Sequence, residues 1–189
     1  MYICISGAHS QGKTTLCNAL KNNAMLKDYE FISSPIRDLQ KQGFPINQEG
    51  DEVTQLFVIS KYYEYSKKKG PVIADRCVLD GLAYTQAVLE NFDDYEFKHA
   101  LGIIASKCYK NYDIIFYIEP ELELKEDGIR PTDKAFFDKV VYYYDRWLEN
   151  ISTYKNPPKI VRLSGSVEDR VSVFMHEVKK FIQTNYLVV

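Results

Sequence analysis

Residues 7–14 read Gly7-Ala8-His9-Ser10-Gln11-Gly12-Lys13-Thr14 and stand directly behind the first apolar run of the chain, Tyr2-Ile3-Cys4-Ile5. A buried strand that delivers the chain to a glycine-rich turn, followed at once by a helix, gathers backbone N–H groups and the positive end of the helix at one point. The occupant that suits such a point is a phosphate oxygen. In the spacing G-x-x-x-x-G-K-[ST], Lys13 is expected to reach the β- and γ-phosphates and the Thr14 hydroxyl to ligate a Mg²⁺ bridging them. Thr15-Leu16 and Ala19-Leu20 supply the apolar face of the helix that follows. Four fixed positions coincide by accident in on the order of one chain in a hundred. The alternative is a glycine turn that only joins a strand to a helix.

Outward from this stretch, 189 residues of which 46% are hydrophobic suffice for one sizeable core, and a single α/β domain over 1–189 is expected. A formal charge of −2 argues against wrapping a nucleic-acid duplex by bulk electrostatics, although a local basic groove stays open. Cys4, Cys17, Cys77 and Cys108 are widely spaced and form no C-x-x-C pair or cluster with His9, His99 or His176, the pattern of reduced thiols. No apolar run approaches the ~18 residues of a membrane span. With a strand from residue 2, no leader is expected ahead of it, and the expected location is the cytoplasm, or a host cytoplasm for a viral protein. The 15 tyrosines fall largely in helical stretches such as Tyr62-Tyr63-Glu64-Tyr65 and Tyr142-Tyr143-Tyr144, where half-buried packing explains them.

Strands are expected at Tyr2–Ser6, Tyr29–Ser33, Pro71–Asp75, Asp113–Ile118 and Lys159–Leu163, with helices over 13–23, 50–68, 80–110, 133–150 and 167–183. This alternation implies a five-stranded parallel sheet with helices on both faces, a three-layer α/β fold. Ligands of such sheets sit beyond the carboxyl ends of the strands. The residues that follow each strand are therefore the candidates.

After the second strand, Arg37 could clamp an anionic or polar group of an acceptor, or pair with Asp38 or Glu30. Gln55, at the start of a long helix, could hydrogen-bond the acceptor, with capping or solvent exposure as the alternative. The third strand ends in Asp75-Arg76. An acid at that point could hold a Mg²⁺-bound water or take the proton of an attacking hydroxyl, and Arg76 could orient the transferring group. A helix-capping aspartate is the other reading of Asp75, and Asp80 is expected as the N-cap of the next helix. Beyond the fourth strand, residues 119–133 form a charged stretch with a Gly hinge, suited either to a lid or to a solvated loop. Arg130 within it could neutralise charge on the transferring phosphoryl group. The turn after the fifth strand, Ser164-Gly165-Ser166-Val167, could lie against a purine ring, and Ser166 with Asp169 resembles a helix-opening cap.

Taken together, Ile5 to Leu16, Asp75-Arg76, Tyr112 to Pro120 and Asp127-Gly128-Ile129-Arg130 resemble the P-loop ATPase/kinase family that includes the ribosylnicotinamide kinase domain and small phage-type AAA-labelled ATPases. These blocks span nearly the whole chain in the family's order. Asp75 to Gln86 is also similar to thymidylate kinases, matching at Asp75-Arg76 and Ala83-Tyr84. It departs where Thr85 intervenes before Gln86 and where Asp80 replaces a serine, which counts against a thymidylate substrate. The resemblance implies a P-loop NTPase fold of the nucleoside or nucleotide kinase type and a Mg²⁺·ATP donor held by Gly7, Ala8, His9, Ser10, Gln11, Gly12, Lys13, Thr14, Thr15 and Ser166. It further implies a lid carrying Arg130 and an acceptor pocket walled by Arg37, Arg76 and Tyr84.

The leading expectation is a small-molecule kinase in which Lys13, Asp75, Arg76 and Arg130 carry the catalysis, Thr14 and Asp75 hold the metal, and Arg37, Gln55, Asp75, Arg76 and Tyr84 meet a nucleoside or nucleotide. A nucleotide-hydrolysing switch that signals to a partner is the second class. A kinase of a modified base or end in nucleic acid is the third, supported only by Lys67-Lys68-Lys69 and Lys179-Lys180. Homodimerisation is left open by the sequence.

Overall fold

The computed structural model describes residues 1–91, 94–122 and 133–186. Five strands, β1 (Tyr2–Ser6), β2 (Glu30–Ile32), β3 (Val72–Asp75), β4 (Ile114–Ile118) and β5 (Lys159–Leu163), form one parallel sheet in the order β2-β3-β1-β4-β5. The expected five-stranded parallel sheet is the one observed. Ile3 of β1 pairs in register with Ile73 of β3 and Ile114 of β4, so the strand that feeds the phosphate loop lies at the centre.

Alternation along the strands explains the layers, because successive side chains point to opposite faces. Tyr2, Cys4, Val72, Ala74, Ile115 and Tyr117 face a core completed by α3 (Glu52–Ser66), α4 (Val78–Val88), α5 (Tyr95–Tyr109) and α6 (Lys134–Ser152). Ile3, Ile5, Ile73, Ile114, Phe116 and Ile118 face the other core, filled by Leu16 and Leu20 of α1 (Lys13–Lys21) and Phe174 and Val178 of α7 (Val167–Tyr186). Both faces of β1 and β4 are buried throughout, whereas β5 and β2 at the edges are partly open, as parallel sheets between helical layers require.

Two elements differ from expectation. The helix expected over 80–110 is two helices, because Asp94 caps a new start by accepting the Phe97 N–H at 2.8 Å. A short helix, α2 (Ile36–Lys41), follows Pro35, whose fixed φ suits a helix start, in a stretch for which no helix or strand was expected. The lysine run is engaged on the fold, with Lys67 over the Tyr63 ring at 3.8 Å and Lys68 paired with Glu30. Among the described residues no helix is long and apolar enough to cross a membrane. Most of the expected lid, 123–132 with Arg130, lies outside the described residues.

Candidate active site

The turn between β1 and α1 is built from conformations its glycines alone adopt without strain. Gly7 has φ 144°, and a Cβ there would stand 2.9 Å from the Ile118 carbonyl oxygen; Gly12, at φ 82°, opens α1 with no side-chain cap and no acid in the first turn. Ser10 also has positive φ (63°), and its buried hydroxyl has no partner among the described residues. The orphan N–H groups and dipole of an uncapped helix start favour an anion at that spot. Lys13 folds over the same turn, its Nζ donating to the carbonyls of Gly7 (2.6 Å) and Ala8 (2.5 Å).

Parallel pairing of β3 beside β1 brings the second expected group to this turn. Thr14 donates its hydroxyl to Asp75 Oδ2 at 3.2 Å. A threonine hydroxyl and a carboxylate are hard oxygen donors, and a small divalent ion such as Mg²⁺ takes one or two of these together with phosphates and water. The residues present fit that ion and a polyphosphate. Among the described residues no cluster of three or more His, Cys, Asp or Glu makes a separate metal site.

Asp75 and Arg76 are adjacent in sequence and differ in task. Asp75 is half-buried in the crevice beside the loop. Arg76, at φ 78°, turns toward a second pocket, its Nη1 3.3 Å from Asp80 Oδ1 and its guanidinium 5.3 Å from the Tyr84 ring centre. Burial works against the Arg76 charge, but Tyr84 and Asp80 outweigh it and hold the guanidinium more firmly protonated than usual. Asp80 is not the N-cap that the sequence suggests. Cys77 holds that position, and Asp80, three residues in and 1% exposed, accepts the Cys77 N–H (2.9 Å) and the Ser6 hydroxyl (2.8 Å) on Oδ2. Its Oδ1 accepts from Tyr144 of α6 at 2.8 Å, and the same hydroxyl lies 2.9 Å from the Gly7 carbonyl oxygen. Asp80 thus locks the end of β1, the start of α4 and the middle of α6 together beneath the loop.

Two pockets meet at this point. The crevice over the loop is lined by His9 to Thr15 together with Ser34, Arg37, Asp75 and Arg76. The second, mostly apolar pocket lies among Ile36, Val58, Tyr62, Gln55, Arg76 and Tyr84, and the two share Ile36, Ile46, Asn47 and Arg76. Arg37 lines the crevice and makes no ion pair among the described residues, since Asp38 pairs with Lys41 and Glu30 with Lys68. Gln55 is neither a cap nor solvent-exposed. It is 4% exposed and touches Thr85 Oγ1 at 3.0 Å, while Asp51 caps α3.

Tyr84 joins the pockets from below. The His9 N–H donates to its hydroxyl oxygen at 3.0 Å, and His9 Nδ1 lies 2.8 Å from the same oxygen, so a loop residue leans on a wall of the second pocket. Phe137 packs edge-on against the His9 ring. Ser166 is not brought into the crevice. Its hydroxyl donates to Asp169 Oδ2 at 2.7 Å and accepts the Asp169 N–H at 3.1 Å, the expected helix-opening cap. Sequence reasoning missed Tyr144 and Asn47, whose surroundings leave no local motif.

A phosphate loop on the central strand of a β2-β3-β1-β4-β5 sheet, with an acid at the tip of the neighbouring strand, defines the P-loop nucleoside kinase fold. The chain belongs to the AAA_28 family of AAA domains, whose model matches residues 2–170. Among solved structures it is similar to a deoxyadenosine kinase from M. mycoides with bound dATP, at 17% identity and TM-score 0.65 over 95% of this chain and all of that one. It is also similar to a NadR protein in complex with NR, at 17% identity and TM-score 0.71, covering 95% of this chain and 51% of that one. A NadR protein with NAD and AMP-PNP aligns at 16% identity and TM-score 0.70, over 95% of this chain and 49% of that one. No curated protein sequence matches the chain.

Proposed function

We propose that this protein transfers the terminal phosphoryl group of ATP to a hydroxyl of a small, uncharged acceptor of the nucleoside type. The observation that carries the reading is the contiguity of the two pockets, with Arg76 common to both. A hydrolysing switch needs only the loop and a water. A second apolar pocket holding a buried amide, opening onto the loop, suits an organic acceptor.

The charge of that pocket selects the acceptor. Its charged lining groups among the described residues are Arg76 and Asp80, which pair with each other. A monophosphate acceptor would call for cations not already neutralised, and Arg37, which makes no ion pair among the described residues, lines the loop crevice rather than this pocket. Gln55 supplies a polar edge for a base-like ring, and Tyr62, Val58 and Ile36 supply apolar walls.

In the loop crevice, Lys13 exchanges its two carbonyl partners for the donor phosphates, whose oxygens are also drawn to the positive end of α1. Thr14 and Asp75 would hold Mg²⁺, which when bound draws charge off the phosphate oxygens. Among the described residues Asp75 is the one carboxylate lining either pocket whose oxygens are not saturated by the fold, so its Oδ1, the oxygen not turned to Thr14, receives the proton of the acceptor hydroxyl as the new O–P bond forms and the bond to the β-phosphate oxygen breaks. Arg76, fixed at the junction, orients the group in transit. Arg130 remains proposed for the transition-state charge.

The test is a panel of ribo- and deoxyribonucleosides, nicotinamide riboside and the corresponding monophosphates, incubated with Mg²⁺ and γ-labelled ATP. Label is expected on an uncharged acceptor. Label on monophosphates alone would overturn the assignment of the second pocket.

A further inference from the structure

Arg170, in the first turn of α7, is 2% exposed and lies beneath the phosphate loop, outside the lining of either pocket. Its Nη1 donates to the Gln11 carbonyl at 2.8 Å and stands 3.3 Å from where a Cβ on Gly12 would sit. Its Nη2 pairs with Glu121 Oε2 at 3.2 Å, and that oxygen also accepts the Gly165 N–H at 2.8 Å. Gln11, fully buried, grips the same segment from the loop side. Its Nε2 donates to the Leu122 carbonyl at 2.9 Å, and the Leu122 N–H donates to its Oε1 at 2.7 Å.

One guanidinium therefore ties together the phosphate loop, the chain leaving β4 and the turn between β5 and α7. Packing alone does not explain it. Only Arg170 of the pair is buried, Glu121 being 42% exposed, and apolar side chains of the same volume commonly match or exceed a buried charge in stability, whereas a guanidinium adds direction. The direction here falls on a peptide. In a planar trans peptide the C=O and the following N–H point opposite ways. With the Gln11 carbonyl held down on Arg170, the Gly12 N–H is turned away from it, on the side of the crevice that Gly12 lines. A cation on the carbonyl also polarises the peptide and strengthens that N–H as a donor.

We infer that Arg170 is a positioning residue for the donor nucleotide: it fixes the Gln11–Gly12 peptide with its N–H toward the phosphates, and Glu121 fixes Arg170. This rests on reading the crevice as the phosphate site of a nucleotide. No group of Arg170 itself meets the ligand.

The test compares wild type, Arg170→Lys and Glu121→Gln by calorimetric titration with ATP and with adenosine, alongside thermal unfolding and the acceptor KM at saturating ATP. Lysine keeps the charge but loses the planar fork that sets Gln11 on one terminal nitrogen and Glu121 on the other. Arg170→Lys is expected to weaken ATP about tenfold or more and Glu121→Gln severalfold, with adenosine binding and the acceptor KM unchanged. A purely structural role would lower the melting temperature and leave ATP affinity in the folded variants as in wild type, and that result overturns the inference. Should Arg170→Lys fail to fold, Glu121→Gln, altered on a side chain 42% exposed, decides by the same criterion. A wild type that does not bind ATP overturns the phosphate-site reading itself, and the inference with it.

Discussion

Asp75 and Asp80 stand five residues apart at one end of the sheet, and the structure gives them opposite work, which the substitutions Asp80→Asn and Asp75→Asn separate. Asp80 accepts from Ser6, Cys77 and Tyr144 and pairs with Arg76. An asparagine can keep its oxygen toward Ser6 and Cys77, and its NH₂ can face the Tyr144 hydroxyl, which then donates to the Gly7 carbonyl. What it cannot do is accept from Arg76. The guanidinium, only 16% exposed, is left as a nearly buried charge facing a donor. Breaking a fully buried pair costs about 3–5 kcal/mol, and the residual exposure of Arg76 brings the expectation to about 3 kcal/mol. At about 2–4 °C per kcal/mol for a chain of this length, the melting temperature should fall by roughly 6–12 °C. Urea unfolding should show the same loss at an unchanged m-value. Asp75→Asn should leave stability within about 0.5 kcal/mol of wild type and abolish label transfer. An Asp80→Asn protein within 1 kcal/mol of wild type would refute the claim that this carboxylate anchors the loop and Arg76.

Three further expectations follow from single contacts. Gly7→Ala places a Cβ 2.9 Å from the Ile118 carbonyl at φ 144°, and should cost about 1–3 kcal/mol in urea unfolding while weakening ATP binding; an unaffected variant would mean the turn relaxes freely. Gln55→Leu keeps the volume of a buried pocket residue and removes its amide, so the acceptor KM should rise about tenfold with ATP affinity unchanged, and equal KM values would remove Gln55 from acceptor recognition. Asp51 caps α3, and the Thr54 N–H lowers its pKa below the ordinary carboxylate value. A depressed carboxylate stabilises the fold above its unfolded pKa and loses that contribution as pH falls through the folded value, so the deficit of Asp51→Ala, about 1 kcal/mol at neutral pH, should shrink below about pH 3.9. A deficit constant down to pH 2 would contradict the cap.

The parallel sheet and the phosphate loop were legible because their signals are local. Apolar runs of four or five residues flank the loop and end at Asp75 and Ile118, and the loop motif carries its own spacing. The strand order was not legible, since nothing in the apolar runs says which strand pairs with which. The single long helix expected over 80–110 concealed a break at Asp94 because the residues on either side share helical periodicity and only one cap marks the new start. Thr14 lies beside Asp75 and Arg76 beside Tyr84 because Thr14 is in the first turn of α1, Asp75 ends β3 with Arg76 next to it, and Tyr84 stands in α4, the helix that β3 leads into. Asp80 was misread because an aspartate ahead of a helical stretch is a common N-cap, whereas the cysteine that holds the position is not a usual one. What sets it apart, the hydroxyls of Ser6 and Tyr144, comes from residues 74 and 64 positions away. Arg170 was invisible for the same reason, its partners lying 159 and 49 positions back.

The central claim is that the loop crevice and the second pocket form one site for transfer to an acceptor. A single-turnover experiment with γ-labelled ATP and the acceptor found in the panel, in wild type and Lys13→Ala, tests it directly by counting label in product against label in free phosphate. Wild type should place nearly all label on the acceptor and release little phosphate without it, and Lys13→Ala should slow transfer by a factor on the order of 10²–10⁴. Phosphate released equally fast with and without acceptor, or transfer unchanged by loss of Lys13, would contradict the account.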